Sequence, residues 1–116
     1  MDLSKSYEYF QPEKVDARIH MIGCGSVGAT IAENLVRLGL TNIDLWDMDV
    51  VNPHNLANQI FRQQDVGRSK VESLADILFE LNPEVKDSIK LHPDGWNGQK
   101  LNGYVFLCVD NIELRR

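Results

Sequence analysis

The chain predicts an α/β fold, a Rossmann-like doubly wound and mainly parallel sheet with strand order 3-2-1-4. Three observations predict it. Gly23, Gly25 and Gly28 stand in G-x-G-x-x-G spacing between an apolar strand-like run and a helical one. Short apolar runs alternate with stretches of 3.6-residue period along the rest of the chain. An acid, Asp47, ends the second strand-like run about twenty residues beyond the glycines, where this architecture puts a ribose contact.

Each element has its own signal. The first 17 residues are polar apart from aromatics such as Tyr7, Tyr9 and Phe10, and read as an N-terminal arm that packs an aromatic or two onto the body. RIHMI (residues 18–22) is a first strand running into the glycines. From Ser26 the period turns helical, with Val27, Ile31, Leu35 and Leu38 on one stripe and Gly39 as a C-terminal stop. NIDLW (residues 42–46) is a second strand. A long segment with Pro53 and several amides follows, and loops of that length in a compact domain are usually functional. Ser69 and Glu72 stand in capping-box spacing ahead of Val71, Leu74, Ala75, Leu78 and Leu81, which predicts a second helix ended by Pro83. SIKLH (residues 88–92) is a third strand. YVFLCV (residues 104–109), apolar throughout, has the composition of a central parallel strand.

Composition narrows the function. The chain has 116 residues, 12 basic against 17 acidic, for a formal charge of -5. That balance argues against nucleic acid or an anionic membrane as partner, since both favour a basic face. No apolar run spans a bilayer and no secretory signal opens the chain. The only cysteines, Cys24 and Cys108, form neither a disulfide framework nor a C-x-x-C pair. They read as small buried filler in a reduced, cytoplasmic protein, and His20 reads as a packed core imidazole.

Right-handed crossovers bring the glycine loop, Asp47 and Asp110 to one edge of the sheet. Gly23 permits the tight turn, Gly25 the approach of phosphate to backbone, and Gly28 close packing of helix on sheet. Ser26 opens the helix, whose N-terminal N–H groups and partial positive charge attract an anion. A mononucleotide and a dinucleotide satisfy these residues equally well. The long loop discriminates between them. Asp47 and Asp49 form a D-x-D suited to one ribose and one magnesium contact. Asn55, Gln59 and Lys70 add polar groups, and Asp110 and Asn111 stand at the fourth strand's tip. A hydride-transferring NAD(P) oxidoreductase, the alternative, needs neither the second carboxylate nor the lysine. Taken singly, Asp49 also reads as a turn former, Lys70 as a solvated helix charge and Asn55 as a capping amide.

GCGSVG, DMDVVNPHNLANQ, DVGRSK, LNP and VDNIELR, in this order and spacing, resemble the ThiF/MoeB/HesA family and the adenylation domains of ubiquitin-activating enzymes. The resemblance covers almost everything from Arg18 onward, as one ATP-binding domain over residues 18–116 that is truncated relative to the family. It implies an adenylyltransferase acting with ATP and Mg²⁺ on the C-terminal carboxylate of a ubiquitin-like or sulfur-carrier protein, in a homodimer. It implies that Asp47 holds the ribose, that Asp49 and Asp110 position magnesium and the reacting phosphate, and that Lys70 contacts the phosphates. Asn55, Gln59 and Asn111 would line the site. The family's usual arginine before the glutamine is replaced by Asn58, and Arg62 is the nearest substitute. YEYFQPEK stands where bacterial members carry an arginine-bearing segment for the partner subunit. The family's carrier-binding region, zinc ligands and catalytic cysteine would lie beyond Arg116. These departures make nucleotide binding a firmer implication than turnover by these residues alone, and they keep a non-catalytic partner subunit as an alternative.

Overall fold

A computed structural model describes residues 17–108. The N-terminal arm, Asp110 and Asn111 lie outside the described residues. Among the described residues four strands form one parallel sheet: β1 (Ile19–Ile22), β2 (Ile43–Trp46), β3 (Lys90–His92) and β4 (Tyr104–Leu107). Their order is β3-β2-β1-β4, as the sequence predicts. Ile19 stands level with Ile43 on one side and Tyr104 on the other, and Ile22 with Trp46 and Leu107. Two helices, α1 (Ser26–Arg37) and α2 (Lys70–Leu81), supply the β1–β2 and β2–β3 crossovers. Both crossovers step the same way across the sheet, so right-handedness puts both helices on one face.

Ile19, Met21, Ile43 and Leu45 point into that helical layer and meet Val36, Val71, Leu74 and Leu78, all buried. The α2 stripe follows the predicted period, with Val71, Leu74, Ala75 and Leu78 buried and Leu81 half-buried. The Ser69 hydroxyl accepts the Glu72 backbone N–H at 3.4 Å, the expected cap. The α1 stripe is corrected: its buried residues are Gly28, Ala29, Ala32 and Val36, while Val27 and Leu38 are exposed. Small residues win the inward face because they let the helix axis approach the sheet, whereas the larger apolar residues rotate to its flanks.

The opposite face carries no helix among the described residues. The segment between β3 and β4 crosses it instead, and Trp96 and Leu101 line an apolar groove with Ile22, Val105 and Leu107. Beside the groove lies a polar network. The Asp44 carboxylate accepts from the Arg18 guanidinium, at 2.9 Å from Nε and also from Nη2, and contacts His92 Nε2 at 3.1 Å. Trp46 stacks on His92 at 3.6 Å between ring centres and donates its Nε1–H to His20 Nδ1 at 3.1 Å. That bond makes Nδ1 an acceptor, so His20 donates from Nε2 to the Asn102 carbonyl. His20 is buried, as expected of a core imidazole.

Among the described residues β4 lies at the edge of the sheet, as the predicted strand order has it, and its apolar residues are exposed there.

Candidate nucleotide site

The site grows from the turn out of β1. Gly23 adopts φ +98°, a left-handed conformation that glycine tolerates best, and its N–H bonds the Trp46 carbonyl at 2.8 Å. The chain then turns into α1 at Gly25. No side chain caps this helix start and no acid sits in its first turn, so its N–H groups and positive dipole end are left for an anion. Gly28 is obligatory: a Cβ there would lie 1.9 Å from the Gly23 carbonyl oxygen. Ser26 is exposed on the first turn.

A chain of hydrogen bonds joins this loop to the acids and the lysine. The Cys24 N–H donates to Asp47 Oδ2 at 2.7 Å, and the Asp49 N–H donates to Asp47 Oδ1 at 2.8 Å. The Asp49 carbonyl accepts the Lys70 N–H at 3.0 Å, and Val50 forms an antiparallel bridge with Ser69. Each carboxylate oxygen of Asp47 thus takes one backbone donor and keeps acceptor capacity for another. Asp49 is exposed, and among the described residues nothing bonds its carboxylate.

Lys70 is buried, at 7% exposure, and no carboxylate among the described residues pairs with it. Its charge is felt at the Cys24 thiol. Burial pushes that thiol well up, the Asp47 carboxylate adds to the rise, and Lys70 opposes it. Cys24 is therefore an inert thiol, the buried filler that its sequence context predicts. An anion bound there gains a charge-assisted contact with the lysine.

The loop between β2 and α2 is organised by its amides. Asn55 is buried and its Oδ1 accepts the Asn52 N–H at 2.8 Å, closing a 3₁₀ turn over Pro53–Ala57. Here Asn55 performs the capping role. Gln59 follows, with its N–H on the Asn55 carbonyl at 2.9 Å. The Gln59 Oε1 is buried and has no hydrogen-bond partner among the described residues, a state that buried acceptors seldom keep without a ligand or water.

Arg62 is not brought to this site. Its Nε lies 3.0 Å from Asp65 Oδ2 and its Nη1 2.7 Å from Glu80 Oε1. Glu80 sits ten residues beyond Lys70 on α2, about 15 Å along the axis. These carboxylates hold the Arg62 guanidinium well above its usual range. Burial works to raise the Asp65 carboxyl, but the hydrogen bonds and charge of Arg62 prevail and hold it below the usual carboxylate range.

The uncapped helix, the free acceptors of Asp47, and Gln59 Oε1 and Lys70, neither of which has a side-chain partner among the described residues, fit a phosphorylated nucleoside. The chain matches the ThiF family over residues 5–116. It belongs to that family. It is similar to ubiquitin-like modifier-activating enzyme 5 of Caenorhabditis briggsae, 31% identical over 132 aligned residues. That match takes in 99% of this chain and 29% of the relative, so the chain spans under a third of the enzyme's length. Among solved structures it resembles Escherichia coli MccB with ATP, at 29% identity and a TM-score of 0.63, over 73% of this chain and 24% of MccB. It also resembles Escherichia coli tRNA N6-threonylcarbamoyladenosine dehydratase, TcdA, at 30% identity and a TM-score of 0.65, over 78% of this chain and 39% of TcdA.

Sequence reasoning missed the Arg18–Asp44–His92 network and the part played by the Cys24 N–H. A signal for the network exists. Residues 18 and 20, 44 and 46, and 90 and 92 are polar or aromatic at period two, which marks a second sheet face unlike the apolar one.

Proposed function

We propose that this chain is the ATP-binding part of a ThiF-type adenylyltransferase, one that activates the C-terminal carboxylate of a ubiquitin-like or sulfur-carrier protein. The observation that carries the reading is Lys70, which pairs with no carboxylate among the described residues and is bonded through its own backbone to the D-x-D of Asp47 and Asp49. Asp47 accepts from ribose hydroxyls. The Gly23–Gly28 turn and the start of α1 donate N–H groups to phosphate oxygens. Lys70 neutralises phosphate charge, and the Gln59 Oε1 takes a hydrogen bond from the nucleotide. Mg²⁺, when bound, supplies charge neutralisation at the phosphates, and Asp49 is its ligand on the described residues, with Asp110 as the second. The chemistry is carboxylate attack on the α-phosphorus with pyrophosphate leaving. The protein's part is positioning and electrostatics rather than covalent catalysis. The reading includes a cytoplasmic homodimer.

Arg62 supports a narrower second reading. With its guanidinium held by Asp65 and Glu80, and Asn58 in the place of the family's arginine, the site has the donors to bind nucleotide but one cation fewer for turnover. Under that reading the chain is a binding subunit.

Calorimetric titration of the full chain with ATP, with and without Mg²⁺, and with NAD tests the proposal. Magnesium-dependent ATP binding, tighter than NAD, is expected. Tighter NAD binding without a magnesium effect overturns it. Carrier-dependent exchange of labelled pyrophosphate into ATP then separates the enzyme from the binding subunit.

A further inference from the structure

The proposed site uses only the lysine of DVGRSK, yet the residues before that lysine fold into a defined turn. Val66 adopts φ -58° and ψ 129°, and Gly67 follows at φ +89°. The Arg68 N–H then closes on the Asp65 carbonyl at 3.0 Å. These are the angles and the bond of a type II β-turn over residues 65–68, whose third position needs a positive φ.

A bulge leads straight out of the turn. The Gly67 N–H donates to the Val51 carbonyl at 2.8 Å, and the Val51 N–H donates to the Arg68 carbonyl at 2.8 Å. Gly67 and Arg68 together oppose the single residue Val51, which is buried, and the glycine has positive φ. That arrangement is a G1 bulge, a device found next to active sites where it re-aims a side chain. Beyond it the pairing is regular. Val50 bridges Ser69, and the Lys70 N–H reaches the Asp49 carbonyl at 3.0 Å, so Lys70 stands level with Asp49.

Side chains alternate along paired strands, so a slip of one residue would set Ser69 or Val71 level with Asp49 and turn Lys70 to the opposite face. The bulge carries the one extra residue that prevents the slip. We infer that Gly67 is a positioning residue for the phosphate site, which acts through this bulge to hold Lys70 in register with Asp49. The inference rests on the proposed ATP site and adds what keeps its lysine and its metal-side acid together.

Space does not explain the glycine. A Cβ at position 67 would meet nothing within 4 Å among the described residues, in contrast to position 28. The backbone angle does explain it. Asparagine adopts positive φ more readily than other side chains, alanine is strained there, and proline is excluded because its ring holds φ near about -65°. Proline also lacks the N–H that bonds Val51, while Val66 already has the extended angles that a residue before proline takes.

Calorimetry of the full chain with magnesium and ATP, and separately with adenosine, tests the inference in Gly67→Asn, Gly67→Ala and Gly67→Pro. Gly67→Asn is expected to bind ATP within about threefold of the parent and more tightly than Gly67→Ala, although its side chain is the larger. Gly67→Pro is expected to weaken ATP at least about tenfold, as loss of a charge-assisted contact does. Adenosine affinity is expected to stay within about threefold in all of them, because the ribose acid lies on β2 and not on the bulged strand. Amide exchange gives a readout without nucleotide: the Val51 and Lys70 N–H groups are expected to lose protection in Gly67→Pro while those of β1 keep it. ATP affinity unchanged in Gly67→Pro overturns the inference, as do equal losses of ATP and adenosine, which make Gly67 a structural residue only. If Gly67→Pro does not fold, the remaining pair decides, and Gly67→Ala binding ATP as tightly as Gly67→Asn overturns it. Failure of the functional reading shows separately, as a parent chain that binds neither ATP nor adenosine before any substitution is made.

Discussion

The Cys24 backbone N–H donates to the Asp47 carboxylate at 2.7 Å, so the acid at the tip of β2 holds the glycine loop before it holds anything else. With the Asp49 N–H on its other oxygen, Asp47 is both a structural clamp and a ribose acceptor. Asp47→Asn leaves one amide N–H facing a backbone N–H. It is expected to lose about 1–3 kcal/mol of stability, the cost of an unsatisfied donor in place of a charge-assisted bond. Denaturant unfolding measures that cost. Calorimetry with adenosine, which lacks phosphates, measures the ribose contribution separately, and unchanged adenosine affinity would remove Asp47 from the binding site.

Gly28→Ala tests how closely α1 approaches the turn. The added Cβ meets a backbone carbonyl at 1.9 Å, and a backbone atom does not swing aside as a side chain does. The substitution is expected to cost at least about 4 kcal/mol, in the exceptional range for a single change. Thr30→Ala, exposed on the same helix, is the control and should fall within about 0.5 kcal/mol of the parent. Equal melting temperatures for the two variants would show that the loop relaxes away from the helix.

Asp65 gives a pH signature. Its carboxyl is fully buried and held below its unfolded value by Arg62, so the folded state binds the proton less readily than the unfolded one. Its contribution is therefore present above the unfolded carboxylate pKa of about 4 and is lost as pH falls through the lower folded value. Asp65→Asn is expected to cost about 3 kcal/mol at pH 7, since it leaves Arg62 without its main partner. The gap between variant and parent should narrow below about pH 4. A gap that stays constant from pH 7 to pH 3 would mean that the ion pair contributes nothing as a charge pair.

Strand order, both helices and the meeting of loop, acid and lysine were legible in the sequence, because period, glycine spacing and crossover handedness are local or topological rules. What escaped it depends on which neighbour wins a side chain. Arg62 is three residues from Asp65, and that buried carboxylate outbids a bound phosphate that the fold alone does not contain. The α1 stripe escaped because glycine and alanine score low on hydrophobicity yet permit the closest packing. The place of β4 beside β1 was implied by the strand order itself, while its apolar composition has the character of an inner strand.

Lys70 separates folding from function most sharply. The residue is 7% exposed, and its ammonium pairs with no carboxylate among the described residues. Lys70→Met keeps the length and apolar stem while removing the charge. It is expected to leave stability within about 1 kcal/mol of the parent, because no ion pair among the described residues is lost and the buried stem is replaced by one of like size. The same change is expected to weaken ATP by ten- to hundredfold, as loss of a charge-assisted contact worth about 1.5–3 kcal/mol dictates. Adenosine affinity should hardly move, because the lysine meets phosphate and not the nucleoside. Thermal unfolding with and without ATP reads both effects in one experiment: the parent gains more from ATP than the variant does. A variant that is destabilised, yet stabilised by ATP as fully as the parent, would make Lys70 a structural residue and return the phosphate site to the glycine loop alone.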